Sequence, residues 1–292
     1  MTSVKPSFKG RQCKHKKALF AGCLVWYRFP EYEVASKCVL KKLGIPIYPL
    51  REASCCGSFV QGASSNWIYM AAYNLALAEQ NNMDLITLCG GCTNAFRQLQ
   101  YSCTRNTEYV EDINRVLKPL ELEFHNTIQV HHILEVLDDY KEDIPKLLTT
   151  NVPLQTAVMN PCQVFRPEEI MQFDDADHPQ VMAQLVRLTG AACVSYASEN
   201  QCCGSTLTLA DKSVAYCLGE MRLEELDKKG VETIITACGN CHLLLDRMQG
   251  QYYSGRRIPG IFLPQLIGIA MGFSPQQLMI KDPRLKRRLQ NV

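Results

Sequence analysis

Ten of the fifteen cysteines fall into two ordered sets: Cys23, Cys55, Cys56, Cys89 and Cys92, then Cys162, Cys202, Cys203, Cys238 and Cys241. The first is spaced Cys-x31-Cys-Cys-x32-Cys-x2-Cys and the second Cys-x39-Cys-Cys-x34-Cys-x2-Cys. A Cys-x-x-Cys turn brings two thiolates to one centre, and soft thiolates select zinc, copper(I) or iron–sulfur clusters. Structural zinc takes four ligands in a tetrahedron. Five thiols that include an adjacent pair fit it poorly, because neighbouring side chains diverge. They suit a cluster with several irons. A cubane cluster uses four cysteines, so the fifth implies an atypical cluster or a spare thiol. Dithiol exchange by the Cys-x-x-Cys alone would leave the lead cysteines and the pairs unexplained. Apolar packing explains single cysteines, and we assign it to most of the unmatched ones, Cys38, Cys103, Cys193 and Cys217, with Cys13 as an exposed tail thiol.

The two sets are copies of one pattern. Cys55-Cys56-Gly57-Ser58 returns as Cys202-Cys203-Gly204-Ser205, and Cys89-Gly90-Gly91-Cys92 as Cys238-Gly239-Asn240-Cys241. Tyr27-Arg28-Phe29-Pro30-Glu31 is echoed by Phe165-Arg166-Pro167-Glu168, and Val130–Leu134 by Leu263–Ile267. The composition near 140–155 is that of a loop, which predicts an N-terminal domain over 1–150 and a C-terminal domain over 151–292.

Each half alternates strands and helices. In the first, strands are expected at Ala18–Ala21, Ile45–Tyr48 and Leu85–Leu88, with helices at Glu31–Leu43, Asn66–Asn81 and from about Gly91. In the second, strands are expected at Ala157–Met159, Ala192–Tyr196 and Thr233–Thr236, with helices at Pro179–Thr189, Thr208–Lys229 and from about Gly239. The order βαβα implies an α/β protein of two duplicated, Rossmann-like parallel-sheet halves. Sites in such sheets form beyond the strands' carboxyl ends, where both cysteine arrays fall.

A net charge of +2 gives no general attraction to nucleic acid. The opening residues carry no secretory apolar run. The longest apolar stretch, Ile261–Phe273, is broken by Pro264 and Gln265 and is too short to span a bilayer. It reads as core, or as part of an interface. These features predict a cytoplasmic, non-membrane-spanning chain in which clustered cysteines mean metal or redox chemistry. Arg11, Lys14, Lys16 and Lys17, and Arg284, Lys286, Arg287 and Arg288, make both tails basic. They read as solvated charge or a docking edge for an acidic partner.

The double array resembles the CCG-domain proteins, and in its complete form is similar to the B subunit of heterodisulfide reductase. The resemblance covers nearly the whole chain. It implies two noncubane [4Fe-4S] clusters, one on Cys23, Cys55, Cys56, Cys89 and Cys92 and one on Cys162, Cys202, Cys203, Cys238 and Cys241. It further implies catalytic action on a small thiol or disulfide bound between the clusters, with a substrate sulfur able to bond to cluster iron. The implied partners are a C-subunit-like protein with cubane [4Fe-4S] clusters and a flavin-containing A-subunit-like protein. CCG domains also occur in lactate and glycolate oxidase systems, so an electron-transfer component of a respiratory or lactate-type complex is the alternative. A structural zinc module is a third.

Arg28 and Arg166 follow the lead cysteines in matching contexts. Each is expected to bind an anionic substrate group, or to pair with Glu31 or Glu168, or brace its own turn. His242, beside Cys241, reads as a proton donor or a hydrogen bond to sulfur, against a surface helix residue. His131 and His132 are expected to start a helix as capping or core residues. Gly57 and Gly204 should permit tight turns. Ser58 and Ser205 should bond to cluster sulfur or cap the segment that follows.

Overall fold

The computed structural model describes residues 8, 15–106 and 108–290. Arg11, Lys14 and Cys13 lie outside the described residues. Two parallel sheets form. The first has the order β1 (Lys16–Phe20), β2 (Met83–Thr87), β3 (Val130–His132). The second comprises β4 (Gln155–Met159), β5 (Ala192–Cys193), β6 (Thr233–Thr236) and β7 (Gly260–Phe262), in the order β5-β4-β6-β7. Ala18 pairs with Leu85 and Leu85 with Val130. Val158 pairs with Ile235 and Ile235 with Ile261. The inner strands are buried on both faces, as parallel strands covered by helices must be. Thus β1, β2 and β3 correspond to β4, β6 and β7.

Several expected elements shift. The segment Ile45–Tyr48 makes only an isolated bridge between Ala18 and Tyr48. Pro46 and Pro49 flank that contact, and each lacks the N–H a ladder needs. Its counterpart in the second half shortens to β5. His131 and His132 end β3 instead of starting a helix. His132 caps the helix Ile133–Asp139: its Nδ1 accepts from Leu134 N–H at 3.2 Å, and Glu135 accepts from His132 N–H at 2.7 Å. Phe262 and Gln265 occupy the same places before the helix Leu263–Ala270, with Phe262 N–H donating to Gln265 at 2.9 Å. Val130 therefore matches Gly260, three residues earlier than the sequence echo implies. Lys17 is not solvated: it is buried in β1 and pairs with Asp84.

The helix Pro30–Lys42 begins on a proline, with Glu31 and Glu33 in its first turn and Lys41 and Lys42 in its last. It packs against Leu263–Ala270 of the other half, and every residue of that second helix is buried. The apolar stretch from Ile261 is thus mostly core. One continuous cluster joins Val39 and Leu40 to Leu263, Leu266 and Ile267. Tyr32 stacks on Phe262 with ring centroids 4.0 Å apart, and its hydroxyl donates to Ala237 O at 3.0 Å. Buried Glu31 pairs with Arg247 at 2.5 Å and Lys281 at 2.9 Å. Among the described residues no helix is long and apolar enough to cross a membrane.

Leu266, fully buried where the halves meet, is expected to cost about 2–5 kcal/mol of unfolding free energy when changed to Ala. Urea unfolding measures this, and a loss below about 1 kcal/mol would show that this contact does not tie the halves together.

Candidate functional site

Six of the ten array cysteines lie at or just beyond strand carboxyl ends, and the pairs Cys55-Cys56 and Cys202-Cys203 sit on loops. Cys23 opens the short helix Cys23–Arg28 after β1, and Cys162 opens Cys162–Phe165 after β4. Cys89 and Cys238 precede the helices that start at Gly90 and Gly239, so Cys92 and Cys241 fall in the first turn of each. The first of these helices runs on to Arg105, whereas the second becomes π-helical over Leu243–Arg247.

The paired cysteines sit on a turn that glycine makes possible. Gly57 and Gly204 adopt φ of 81° and 83°, a region costly for other residues. A Cβ on Gly57 would also lie 3.0 Å from Trp67 backbone atoms. The turn aims N–H groups at sulfur: Gly57 N to Cys55 Sγ is 3.5 Å, Gly204 N to Cys202 Sγ 3.4 Å, and Ser205 N to Cys203 Sγ 3.4 Å. Ser58 lies beside Cys56 and favours its thiolate.

Within the first array Cys23 and Cys55 sulfurs are 3.7 Å apart and Cys56 and Cys92 3.2 Å. In the second, Cys162 and Cys202 are 3.9 Å apart, and Cys203 and Cys241 are electrostatic neighbours. The arrays touch: Cys89 Sγ lies 4.0 Å from Cys238 Sγ across the seam between the halves. Each array has an open and a closed side. Cys23, Cys55 and Cys162 are half-buried and Cys202 is exposed, while Cys56, Cys89, Cys92, Cys203, Cys238 and Cys241 are buried. Every described cysteine is a free thiol.

Crowding divides the protons unequally. Hydrogen bonds from Cys23 and Cys56 pull Cys55 well below the ordinary thiol range, and those from Cys162 and Cys203 do the same for Cys202. The lead cysteines move upward, each through its bond to that acidic partner. Cys92 and Cys241 rise through bonds to neighbouring thiols and through burial. Five thiolates cannot coexist at such distances without added positive charge, and a bound cationic centre deprotonates its thiols outright. Among the described residues no group of three or more His, Cys, Asp or Glu is gathered about a single-ion position. A soft donor set of five paired and stepped sulfurs fits a polynuclear iron–sulfur group.

The other expected residues fall elsewhere. Arg28 is exposed at the end of its helix. It does not pair with Glu31, whose carboxylate is held by Arg247 and Lys281. Arg166 does not pair with Glu168. It donates to Ala176 O at 2.9 Å, and to Asn200 O and Asp177 at 3.4 Å, bracing the loop that leads to Cys202. His242 is buried, not on the surface, stacked on Phe262 at 4.1 Å. Its Nδ1 shares a hydrogen bond with the Thr236 hydroxyl at 3.3 Å, and its Nε2 lies 3.6 Å from the Asp246 carboxylate. Burial pushes it down to about 3, so it stays neutral.

Two residues that hold the paired-cysteine loops carry no motif in the sequence. Asn74 donates to Cys55 O at 3.3 Å and accepts from Ser54 N–H at 2.8 Å. Arg222 donates to Cys202 O at 3.3 Å. A polar residue inside the apolar run Ala71–Ala78 is the one available signal for Asn74.

A family model described as the cysteine-rich domain CCG matches residues 17–97 and again 156–246. The chain is 34% identical over 286 residues to a Methanosarcina mazei protein named as the B subunit of ferredoxin:CoB-CoM heterodisulfide reductase, covering 92% of this chain and 93% of that one. It is 27% identical to a Wolinella succinogenes protein named 8-methylmenaquinol:fumarate reductase membrane anchor subunit, over 89% of this chain and 94% of that one. A crystal structure of a hypothetical protein from Helicobacter pylori shares the fold with a TM-score of 0.72 at 17% identity, covering 91% of this chain and 51% of that chain.

Because Cys202 is exposed and acidic, its thiolate persists as pH falls below the ordinary thiol value of about 8.5. In metal-free, reduced protein at pH about 6, Cys202 is expected to alkylate fastest, with Cys55 next. Buried Cys103, pushed up to about 11 by desolvation, should stay unreacted. Peptide mass spectrometry reads the order, and equal labelling of Cys202 and Cys103 would contradict this assignment.

Proposed function

The chain belongs to the cysteine-rich CCG domain family, and from that membership we propose that it is the iron–sulfur catalytic subunit of a heterodisulfide reductase-like complex, reducing or forming a disulfide of small thiols. Cys23, Cys55, Cys56, Cys89 and Cys92 would hold one noncubane [4Fe-4S] cluster, and Cys162, Cys202, Cys203, Cys238 and Cys241 the other. The observation that carries this reading is the meeting of two complete five-thiol arrays at the Cys89–Cys238 seam. Near-full-length similarity to a heterodisulfide reductase component supports it.

Cleaving a disulfide takes two electrons and two protons and yields two thiols. Two clusters, when bound, would supply those electrons one at a time. The chain's own residues do the rest. The buried cysteines anchor each array, while the half-open edges at Cys23–Cys55 and Cys162–Cys202 face incoming thiols. In this reading exposed Arg28 would bind an anionic substrate group. Arg166 positions the loop before Cys202. The partners in this reading are a C-subunit-like protein with cubane clusters and a flavin-containing A-subunit-like protein. A second reading, an electron relay in a respiratory complex, draws on the fumarate reductase relative. The open edges favour chemistry over relay.

Anaerobically purified protein is expected to contain about eight irons with equal acid-labile sulfide, as two four-iron clusters require. Cys56→Ser should remove about half of both and abolish disulfide reduction with a one-electron dye. Zinc without sulfide would overturn the proposal.

A further inference from the structure

The two halves place their paired cysteines on the same turn and brace them from the same helical position, but with different chemistry. Asn74 and Arg222 are equivalent: each donates to the carbonyl of the first paired cysteine, Asn74 to Cys55 O and Arg222 to Cys202 O, both at 3.3 Å. Asn74 is neutral. Arg222 carries a charge and is 3% exposed. Its Nη2 is shared among the carbonyls of Ser198, Gln201 and Cys202, at 3.2 to 3.5 Å. Its Nε and Nη1 are buried and make no hydrogen bond.

A buried guanidinium needs a compensating negative charge, and no described carboxylate forms an ion pair with it. Glu225 and Glu199 lie on the same side of the second half. Glu225 accepts from Ala197 N–H at 2.6 Å and Glu199 from the Ser195 hydroxyl at 3.2 Å. Both are partly exposed, so water screens them more than it screens Arg222. The negative charge at hand is the sulfur array itself.

A second difference points the same way. His132 is fully buried, and Leu134 N–H donates to its Nδ1. The neutral ring therefore carries its proton on Nε2, an N–H donor that faces the Ala237 backbone across the seam without a well-formed hydrogen bond. Ala237 and Cys238 are its neighbours across the seam, and Tyr32 already donates to Ala237 O. The equivalent residue of the other half is Phe262, which has no donor to offer.

We propose that Arg222 and His132 make the second-half array the higher-potential site of the pair, so that electrons delivered by a partner's iron–sulfur donor come to rest at the Cys202 side. This rests on the cluster reading above. Reduction adds negative charge, which a nearby buried cation and an N–H donor stabilise. Net charge and hydrogen bonds to sulfur are among the factors that set cluster potentials. Both residues act as positioning and tuning groups, not as ligands.

Redox titration of the purified, cluster-loaded full chain, followed by EPR, tests the idea. Wild type should show two separate midpoint potentials. Arg222→Gln should lower the higher one and leave the lower one in place, and Arg222→Lys should restore it. His132→Asn keeps a helix cap but is too short to reach the seam, and it should also lower the higher potential alone. If both clusters are bound and both variants leave the two potentials unmoved, or shift them equally, the inference fails while the functional reading stands. If Arg222→Gln loses a cluster, His132→Asn and Arg222→Lys decide between these outcomes. A wild-type chain that binds no cluster overturns both.

Discussion

Thiols brought to within 4 Å of one another resist ionising together, and that repulsion is the constraint on which the rest of this molecule turns. Parallel strands deliver the lead cysteines and the Cys-x-x-Cys turns to one end of each sheet, and the Gly57 and Gly204 loops bring the paired cysteines to them. The local devices around them manage the repulsion. Backbone N–H groups on the Gly57 and Gly204 turns donate to half-buried Cys55 and exposed Cys202. Bonds to neighbouring thiols, with burial, suppress ionisation of Cys56, Cys89, Cys92, Cys203 and Cys241, while Cys238, bonded by Cys241 and Cys89, is pulled down. What remains uncompensated is a soft, anionic pocket at the seam, suited to iron and sulfide.

The duplication keeps what geometry demands and varies what sets charge. Left-handed glycines, the helix that begins after each β2 or β6 cysteine, and the acceptors Glu135 and Gln265 recur in both halves. The differences gather around the sulfurs: Asn74 against Arg222, His132 against Phe262, and a regular helix after Cys92 against a π-helical turn after Cys241. Local π turns recur at functional sites. The halves are locked by a shared core, by Tyr32 on Phe262 and by buried Glu31 between Arg247 and Lys281. Rotation of one array against the other is thereby opposed at both apolar and charged contacts.

The cysteine order and the βα alternation are legible in the chain because both depend on local periodicity and exact repetition. The strand expected at Ile45–Tyr48 does not form: its apolar residues suit a strand, but Pro46 and Pro49 leave too few donors for a ladder. His131 and His132 look like the start of a helix because Ile133–Leu137 is one. The structure shows instead that β3 reaches into them so that His132 can cap. Arg28 and Arg166 share a sequence context but not a role, because Arg166 finds the 174–177 loop, which has no equivalent near Arg28. Arg222 gives no local signal at all. Its meaning comes from a contact with Cys202 made twenty residues away in sequence.

The central claim is that substrate sulfur meets the clusters at their open edges. EPR of the oxidised, cluster-loaded protein with a small thiol enriched in a magnetic sulfur isotope tests it directly. The account predicts a thiol-dependent cluster signal whose lines broaden with the enriched thiol. A signal indifferent to thiol, in protein that holds both clusters, would contradict it and leave the chain an electron relay.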